Sequence, residues 1–543
     1  MCSHNNAKPT TMFRRPWAFA GTVSLLSMVL ALSGCAVGPD FVKPEAKIQE
    51  NWSEKGDSRV ATQTAVASQW WKAFNDPTLD QLIKLAYQQN LPLQITGLRI
   101  LEARARLGLA IGQQFPQQQE LFGSASKENF SGNAPNSSFR DKNYRNYQAG
   151  FDAVWELDFW GKFRRDVQSA HAGLIASEAD YDNALVSLTA EVARTYTAIR
   201  TFEMLIELTR GNVKLQEEGL MIAESRFRHG VVTELDVAQS RTLLENTRAS
   251  VPQMQSGQRQ AENALSTLLG EPPGAIQTFL NGQKGIPVAP AEVAVSVPAE
   301  LLRRRPDIRS AELSAAAQCA RIGIAKADLY PKFSLFGEIG FQSSGQGGFQ
   351  SNHAHFDNIF DSASLFYSFG PSVQWPFFNY GRIKNNVRVQ DARFQQLIVN
   401  YKNTVLRAAQ ESEDALIGFL KAQEAATFTQ NSVNAARRSV EIALVQYREG
   451  AVDYQRVLDT QRVLLQEEIR LTETRSSIAT NLIALYKALG GGWELRQNQP
   501  IVAVSTLTEM QKRTNWGRLL SLPSPKPEDL QPLPTRNVPV PYW

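Results

Sequence analysis

The 543-residue sequence predicts a mixed α and β protein with an internal two-fold repeat, in which short strands run into helices long enough to pack as coiled coils. The first observation is a change of period. In YQAGFDAVWELDFWG, Tyr147, Ala149, Phe151, Ala153, Trp155, Leu157 and Phe159 point one way, while Gln148, Gly150, Asp152, Glu156 and Asp158 point the other, which is the alternation of a strand with one apolar face. From Lys162 the spacing becomes seven: Leu185, Val192, Ile199, Ile206, Val213, Leu220 and Phe227 recur with no proline between Lys162 and Arg228. At ~1.5 Å per residue that stretch makes a helix about 100 Å long, which needs other helices beside it. The second observation is recurrence. WELDFWGKFRRDV returns as WPFFNYGRIKNNV, ESRFRHG as VQYREG and ALSTLLG as ALYKALG, each 220 residues later, so Gly161, Gly230 and Gly270 match Gly381, Gly450 and Gly490. Two equivalent halves follow.

Taken in order, the chain opens with Arg14 and Arg15 before an apolar run from Trp17 to Leu32, then Ser33, Gly34 and Cys35. This is a secretory signal peptide, and LSGC fits a lipobox in which Cys35 becomes the first, lipidated residue; an ordinary signal with an incidental cysteine is the alternative. Ala36 rather than Asp follows, which points to delivery to the outer membrane. Cleavage removes Lys8, Arg14 and Arg15, three of the 57 basic residues, leaving 54 against 53 acidic ones, so no nucleic acid or other polyanionic partner is expected. Cys319 is then the only free thiol, and the fold relies on no intrachain disulfide.

The boundaries read as a signal peptide over 1–34, a lipidated tether over 35–76, repeat 1 over 77–270, an equatorial connector over 271–298, repeat 2 over 299–490 and a proline-rich, extended tail over 491–543. Within repeat 1, Asp76 and Pro77 start a helix to about Phe115, Pro116 stops it, Gln119 to Phe130 form a strand, and an Asn-, Ser- and Gly-rich loop leads to the second strand. The long helix breaks at His229-Gly230, and Thr233 opens a return helix to about Leu269 despite Pro252. Repeat 2 gives a helix from Pro306 to Tyr330, the strands KFSLFGEIGF and SLFYSFGPSVQWPFF, the long helix Arg382 to Arg448 and a return helix to Leu489.

Four strands cannot close a membrane barrel, which needs ~8 or more, and an open sheet in a bilayer leaves edge amides unpaired. Either the sheet is an ordinary soluble one, or other copies of the chain complete it. Aromatic crowding at the strand ends (Trp155, Phe159, Trp160; Trp375, Phe377, Phe378) and the basic residues after it (Lys162, Arg164, Arg165; Arg382, Lys384) favour a membrane girdle with cations at headgroup level.

With CAVGPDF at the lipidated end, QWWKAFNDPTLDQLI, WELDFWGKFRR, VPAELLRRRPDIRSAE and QWPFFNYGRI in this order, the chain resembles the TolC-like outer-membrane efflux factors, within them the lipoprotein branch serving RND-type tripartite exporters. The resemblance implies a homotrimer whose strands form a 12-stranded outer-membrane β-barrel continuous with a long periplasmic α-helical coiled-coil barrel. It also implies a mixed belt at the waist, and as partners a periplasmic adaptor, an inner-membrane RND-type pump and outer-membrane lipid. The two helix reversals then form a periplasmic gate, and counting from each glycine places Asp236, Tyr447 and Asp459 where the family carries its gating carboxylate, tyrosine and pore aspartate. A Tyr447 hydroxyl donating to a carboxylate is the expected lock. The chain departs from the family at Val452 and Arg456, and Arg456 is expected to pair with Asp459 or with Asp236 of a neighbour.

No metal site, cofactor or enzymatic site is expected. His353 and His355 lack further ligands at metal spacing, RRRPD reads as a helix start rather than an anion site, and no phosphate loop or nucleophile-base pattern occurs. A lipid-anchored coiled-coil structural or adaptor protein without a pore is the competing reading, and it predicts a chain that leaves the membrane once its lipid is removed.

Overall fold

The computed structural model describes residues 36–521, apart from 63–67, 134, 136–142, 281, 283, 296, 297, 299–303, 347–355 and 498. The signal segment, Cys35, His353, His355 and the chain beyond 521 lie outside the described residues.

A short strand β1 (Val60–Thr62) and a turn carrying Trp70 and Trp71 precede α1 (Pro77–Gln89). Asp76 caps α1 by accepting from the backbone N–H groups of Thr78 and Leu79, as its place before a proline predicts. The expected single helix to Phe115 is two: Asn90 stops α1 and caps α2 (Leu91–Gly112), its side chain accepting from Leu93 N and donating to the Leu268 carbonyl. Pro92 has no N–H to continue the ladder to Gln88 and its ring would crowd that carbonyl, so the helix stops and restarts with Pro92 in the first turn, which is why one periodic stretch splits.

Strands β2 (Gln118–Asn129) and β3 (Asn143–Leu157) follow, then the 67-residue helix α3 (Lys162–Arg228) and its 35-residue return α4 (Glu234–Leu268), which carries Pro252 inside it. The connector contributes β4 (Val293–Val295), paired in parallel with β1, so the tether and connector segments read as equatorial meet in one small two-stranded sheet. The second half gives α5 (Pro306–Ala327), β5 (Lys332–Gln346), β6 (Leu365–Gln374), a second 67-residue helix α6 (Arg382–Arg448) and a second 35-residue return α7 (Tyr454–Ala488). WPFF does not extend β6, which ends at Gln374 before Pro376 removes a ladder donor. The tail beyond 491 is not wholly extended either, because Val504–Arg513 forms a helix, α8.

Gly161 and Gly381 stand at φ 75° and 81° between each strand segment and its long helix, a backbone that L side chains resist. At the other end Gly230 and Gly450 adopt φ 74° and 75°, and the next residue closes the helix: Val231 N bonds Arg226 O at 2.9 Å and Ala451 N bonds Gln446 O at 2.8 Å.

The four long strands form one antiparallel sheet in the order β2-β3-β5-β6. Register sorts its faces. Leu121, Phe151, Ile339 and Tyr367 lie in one cross-strand row, and Trp155, Leu335 and Phe369 share that apolar face; Gln148, Asn146, Gln342 and Ser344 lie on the polar one. The helices keep the same sequence of neighbours, α2 beside α3, α3 beside α5 and α5 beside α6. Toward the tips α3 packs on α4 and α7, and α7 on α6.

Leu185, Val192, Ile199 and Ile206 are buried along α3, as the heptad count predicts, but Val213 and Leu220 are only half-buried and Phe227 is 43% exposed. A 3.6-residue helix drifts ~20° per heptad against a seven-residue repeat, and the buried seam passes to Asn212, Gln216 and Gly219 instead.

At the waist, Tyr196 donates to Asp76 at 2.7 Å, and the fully buried Arg200 reaches Tyr196 and the Leu280 carbonyl, tying the helix start and the connector to α3. The C-terminal turn docks nearby through Arg496, which holds Asp182 with both carboxylate oxygens, and Glu494 pairs with Arg304 at 2.9 Å. Burial pushes Asp182 up to about 6 against the pull of Arg496, and Glu178 up to about 7 against Arg496 and Arg104.

The cations expected at headgroup level are largely engaged within the chain. Lys162 pairs with Asp328 at 3.2 Å, Arg164 with Asp158 at 3.1 Å and Arg165 with Asp40 at 2.8 Å, so these three are not free charges. Sequence proximity to the strand end did not reveal the acidic partners on other elements. Cys319 is buried and unpaired, and burial pushes its thiol up to about 11.

Candidate functional site: the helix tips

Two helix reversals meet at the end farthest from the sheet. The first joins α3 to α4 through Gly230; the second joins α6 to α7 through Gly450, with Asp453 capping α7 by accepting from Arg456 N at 3.3 Å. Ala223, Leu243, Ala443, Tyr447, Tyr454, Val457 and Leu458 form a compact apolar cluster between them, with Val452 at its edge.

Within it the two tyrosine rings lie 5.0 Å apart. Tyr454 shares a 2.7 Å hydroxyl contact with Ser240 on the other hairpin, and Gly219 leaves room for it, since a Cβ there would stand 3.0 Å from the Tyr454 hydroxyl. Arg226, from the first hairpin, donates to the Tyr447 backbone carbonyl and lays its guanidinium 4.6 Å from the centre of the Tyr447 ring. A cation over an aromatic face adds ~0.5–2 kcal/mol, so this one side chain clamps the two hairpins together twice.

The structure brings Tyr447 and Asp236 into one electrostatic neighbourhood but not into the expected bond. Tyr447 is 1% exposed, and among the described residues its hydroxyl has no hydrogen-bond partner. Burial pushes it up to about 12, with Arg226 opposing and Asp236 and Tyr454 adding to the rise. Asp459 lies apart, on the exposed face of α7, accepting from Gln455 at 2.9 Å and standing 3.8 Å from Arg462. Arg462, one turn on, stands near Asp459, while Arg456, one turn back, gives its backbone N–H to the Asp453 cap. The reading by offset from each glycine missed Arg226, Ser240 and Tyr454, because such counting finds positions within one hairpin and carries no information about contacts between two.

Above the cluster the α3/α7 seam is polar. Asn212 donates to Glu468 at 2.8 Å and Arg437 of α6 donates to it at 2.7 Å, beside a groove of about 610 Å³ lined by Met204, Leu208, Leu464 and these groups. Gln461 continues the seam by donating to the Leu215 carbonyl. Farther up the same helix, Leu185, Val192 and Ile199 are fully buried in the main core. A seam of hydrogen bonds can exchange partners as helices shift, whereas an interdigitated apolar one resists it.

Comparison with known proteins agrees with this arrangement. The outer membrane efflux protein family matches residues 82–271 and again 297–491. The solvent efflux pump outer membrane protein SrpC of Pseudomonas putida is 31% identical over 87% of this chain and 98% of its own. The probable outer membrane lipoprotein SilC of Salmonella typhimurium is 27% identical over 86% of this chain and 98% of its own. Among solved structures, the outer-membrane channel OprN superposes with a TM-score of 0.77 at 32% identity, covering 85% of this chain and all of that one. The chain belongs to the outer membrane efflux protein family.

Proposed function

We propose that the chain is the exit duct of a tripartite efflux system, a homotrimer lipidated at Cys35 that passively conducts cargo received from a periplasmic adaptor and an inner-membrane RND-type pump. The observation that supports it best is the continuous pair of uncovered edges. One side of the chain ends on β2 and α2, the other on β6 and the first turns of α6, where Val389 and Val399 are exposed. Three copies joined edge to edge leave no strand unpaired and give twelve strands, with the apolar sheet face toward lipid and the polar face toward the lumen. The paired halves, 77–270 and 299–490, then alternate around the duct.

The helix tips are the gate. Arg226 is the clamp between hairpins, Asp236 and Tyr447 the groups it works against, and Asp459 the carboxylate that faces the pore and favours cations. The polar α3/α7 seam is where one hairpin moves past the other. Single-channel recording in a planar bilayer tests this. Wild type gives small cation-selective openings, Arg226→Ala enlarges them and Asp459→Asn weakens the cation preference. Conductance with unchanged openings in Arg226→Ala removes the clamp, and no conductance after repeated insertion removes the duct.

A further inference from the structure

The outer rim of the sheet carries two cations that meet no carboxylate among the described residues. Lys127 of β2 lies directly opposite Arg145 of β3, with Gly345 of β5 next in the row. Like charges placed directly opposite destabilise a strand pair, and among the described residues neither forms an ion pair. The adjacent carboxylate, Glu128, belongs to the other face and is held by Tyr144 and Ser126. Parity settles the direction. Arg145 is in phase with Tyr147, Phe151 and Trp155, and Lys127 with Leu121, so both cations stand on the apolar face.

Along that face the side chains are graded. The Leu121–Phe151–Ile339–Tyr367 row gives way to Tyr147 and then to Arg145 and Lys127, at the strand ends away from the helices. That is the order of hydrocarbon, interface and headgroup through one leaflet. At the opposite rim Lys162, Arg164 and Arg165 are neutralised by Asp328, Asp158 and Asp40.

We propose that Lys127 and Arg145 bind the phosphate of an anionic glycolipid in the outer leaflet, a site that rests on the barrel reading above. The guanidinium fork takes two phosphate oxygens and the ammonium a third, which removes the repulsion between the two cations. The occupant is a lipid rather than free phosphate because the pair sits directly above an apolar face that fixes acyl chains beneath it.

The test uses the full-length protein in nanodiscs, titrated with bisphosphorylated lipid A, with lipid A stripped of phosphate, and with inorganic phosphate as competitor. Channel conductance is recorded on the same preparations. Wild type should prefer the phosphorylated lipid, and the Lys127→Gln/Arg145→Gln double variant should bind it about 10–30-fold more weakly, while Lys332→Gln at the other rim matches wild type. Equal binding by the double variant, equal binding of the stripped lipid, or displacement by millimolar inorganic phosphate overturns the site while conductance keeps the duct. A wild-type chain that neither inserts nor conducts overturns the barrel reading and this site with it.

Discussion

The two 67-residue helices have matching lengths, glycine boundaries and positions in their halves, yet α3 buries 30 of its side chains and α6 buries 15. At positions 220 residues apart, Ala179 is 1% exposed and Val399 57%; Val186 is 3% and Leu406 60%. The difference is one of neighbours. α3 is enclosed by α2, α5, α4 and α7, all from its own chain, whereas among the described residues α6 has α5 and α7 as its helical neighbours and, near the waist, only stretches of tether and connector, where Ser53 donates to Glu413, Arg59 to the Leu420 carbonyl and Gln423 to the Ala291 carbonyl. Apolar residues at bare positions equivalent to core ones are what the trimer proposed above needs there. The same sequence period therefore supports a buried core in one half and an exposed apolar face in the other.

That comparison breaks most directly at 186 and 406. Val186→Asp puts a charge into the core and should cost ~3–5 kcal/mol, seen as loss of cooperative melting by circular dichroism. On the trimer proposed above, Leu406→Asp should leave helicity intact and shift sedimentation toward monomer; an oligomer that persists at the wild-type level shows that this face of α6 is not where copies meet. At the next pair, Asp182→Ala leaves Arg496 buried without its partner and should cost on the order of 3 kcal/mol, whereas its equivalent Lys402 is exposed and Lys402→Ala should stay within ~0.5 kcal/mol in denaturant titration.

A pH dependence sharpens the contrast further. Glu178 sits at about 7 in the folded chain against an ordinary 4.5, so folding favours its protonated form. Its contribution is fully present below about 4.5 and lost as pH rises through about 7. Glu178→Gln should flatten that loss, raising stability at pH 8 by on the order of 1–3 kcal/mol relative to wild type while changing little at pH 5. A melting temperature that falls equally in both proteins between pH 5 and 8 assigns the dependence elsewhere. The smallest effect is expected at the tip. Tyr447 is buried where its equivalent Phe227 is exposed, but its hydroxyl bonds nothing among the described residues, so Tyr447→Phe should change stability by less than ~0.5 kcal/mol and leave conductance unchanged. A large change in either would restore the hydroxyl to the lock.

Much of this architecture is local and therefore legible in residue order. Both long helices begin and end where their glycines and the absence of proline place them, because helix length depends on hydrogen bonds three to four residues away and on left-handed caps. The strand alternation was equally readable, since parity alone assigns faces. The break at Asn90 was harder to see, because one side chain there serves two helices and a carbonyl 178 residues away.

By itself the sequence determined the repeat, the lengths of the long helices and the apolar face of the strands, all of which follow from short-range geometry and period, and its ordered motifs carried the resemblance to the family. Only the tertiary structure decided which of two equivalent helices is core and which is surface, which cations are neutralised at the inner rim and that Arg226 rather than the Tyr447 hydroxyl joins the hairpins. Those outcomes depend on contacts between residues far apart in the chain, where desolvation and charge pairing are set by what arrives beside a side chain, and no period in the sequence encodes that arrival.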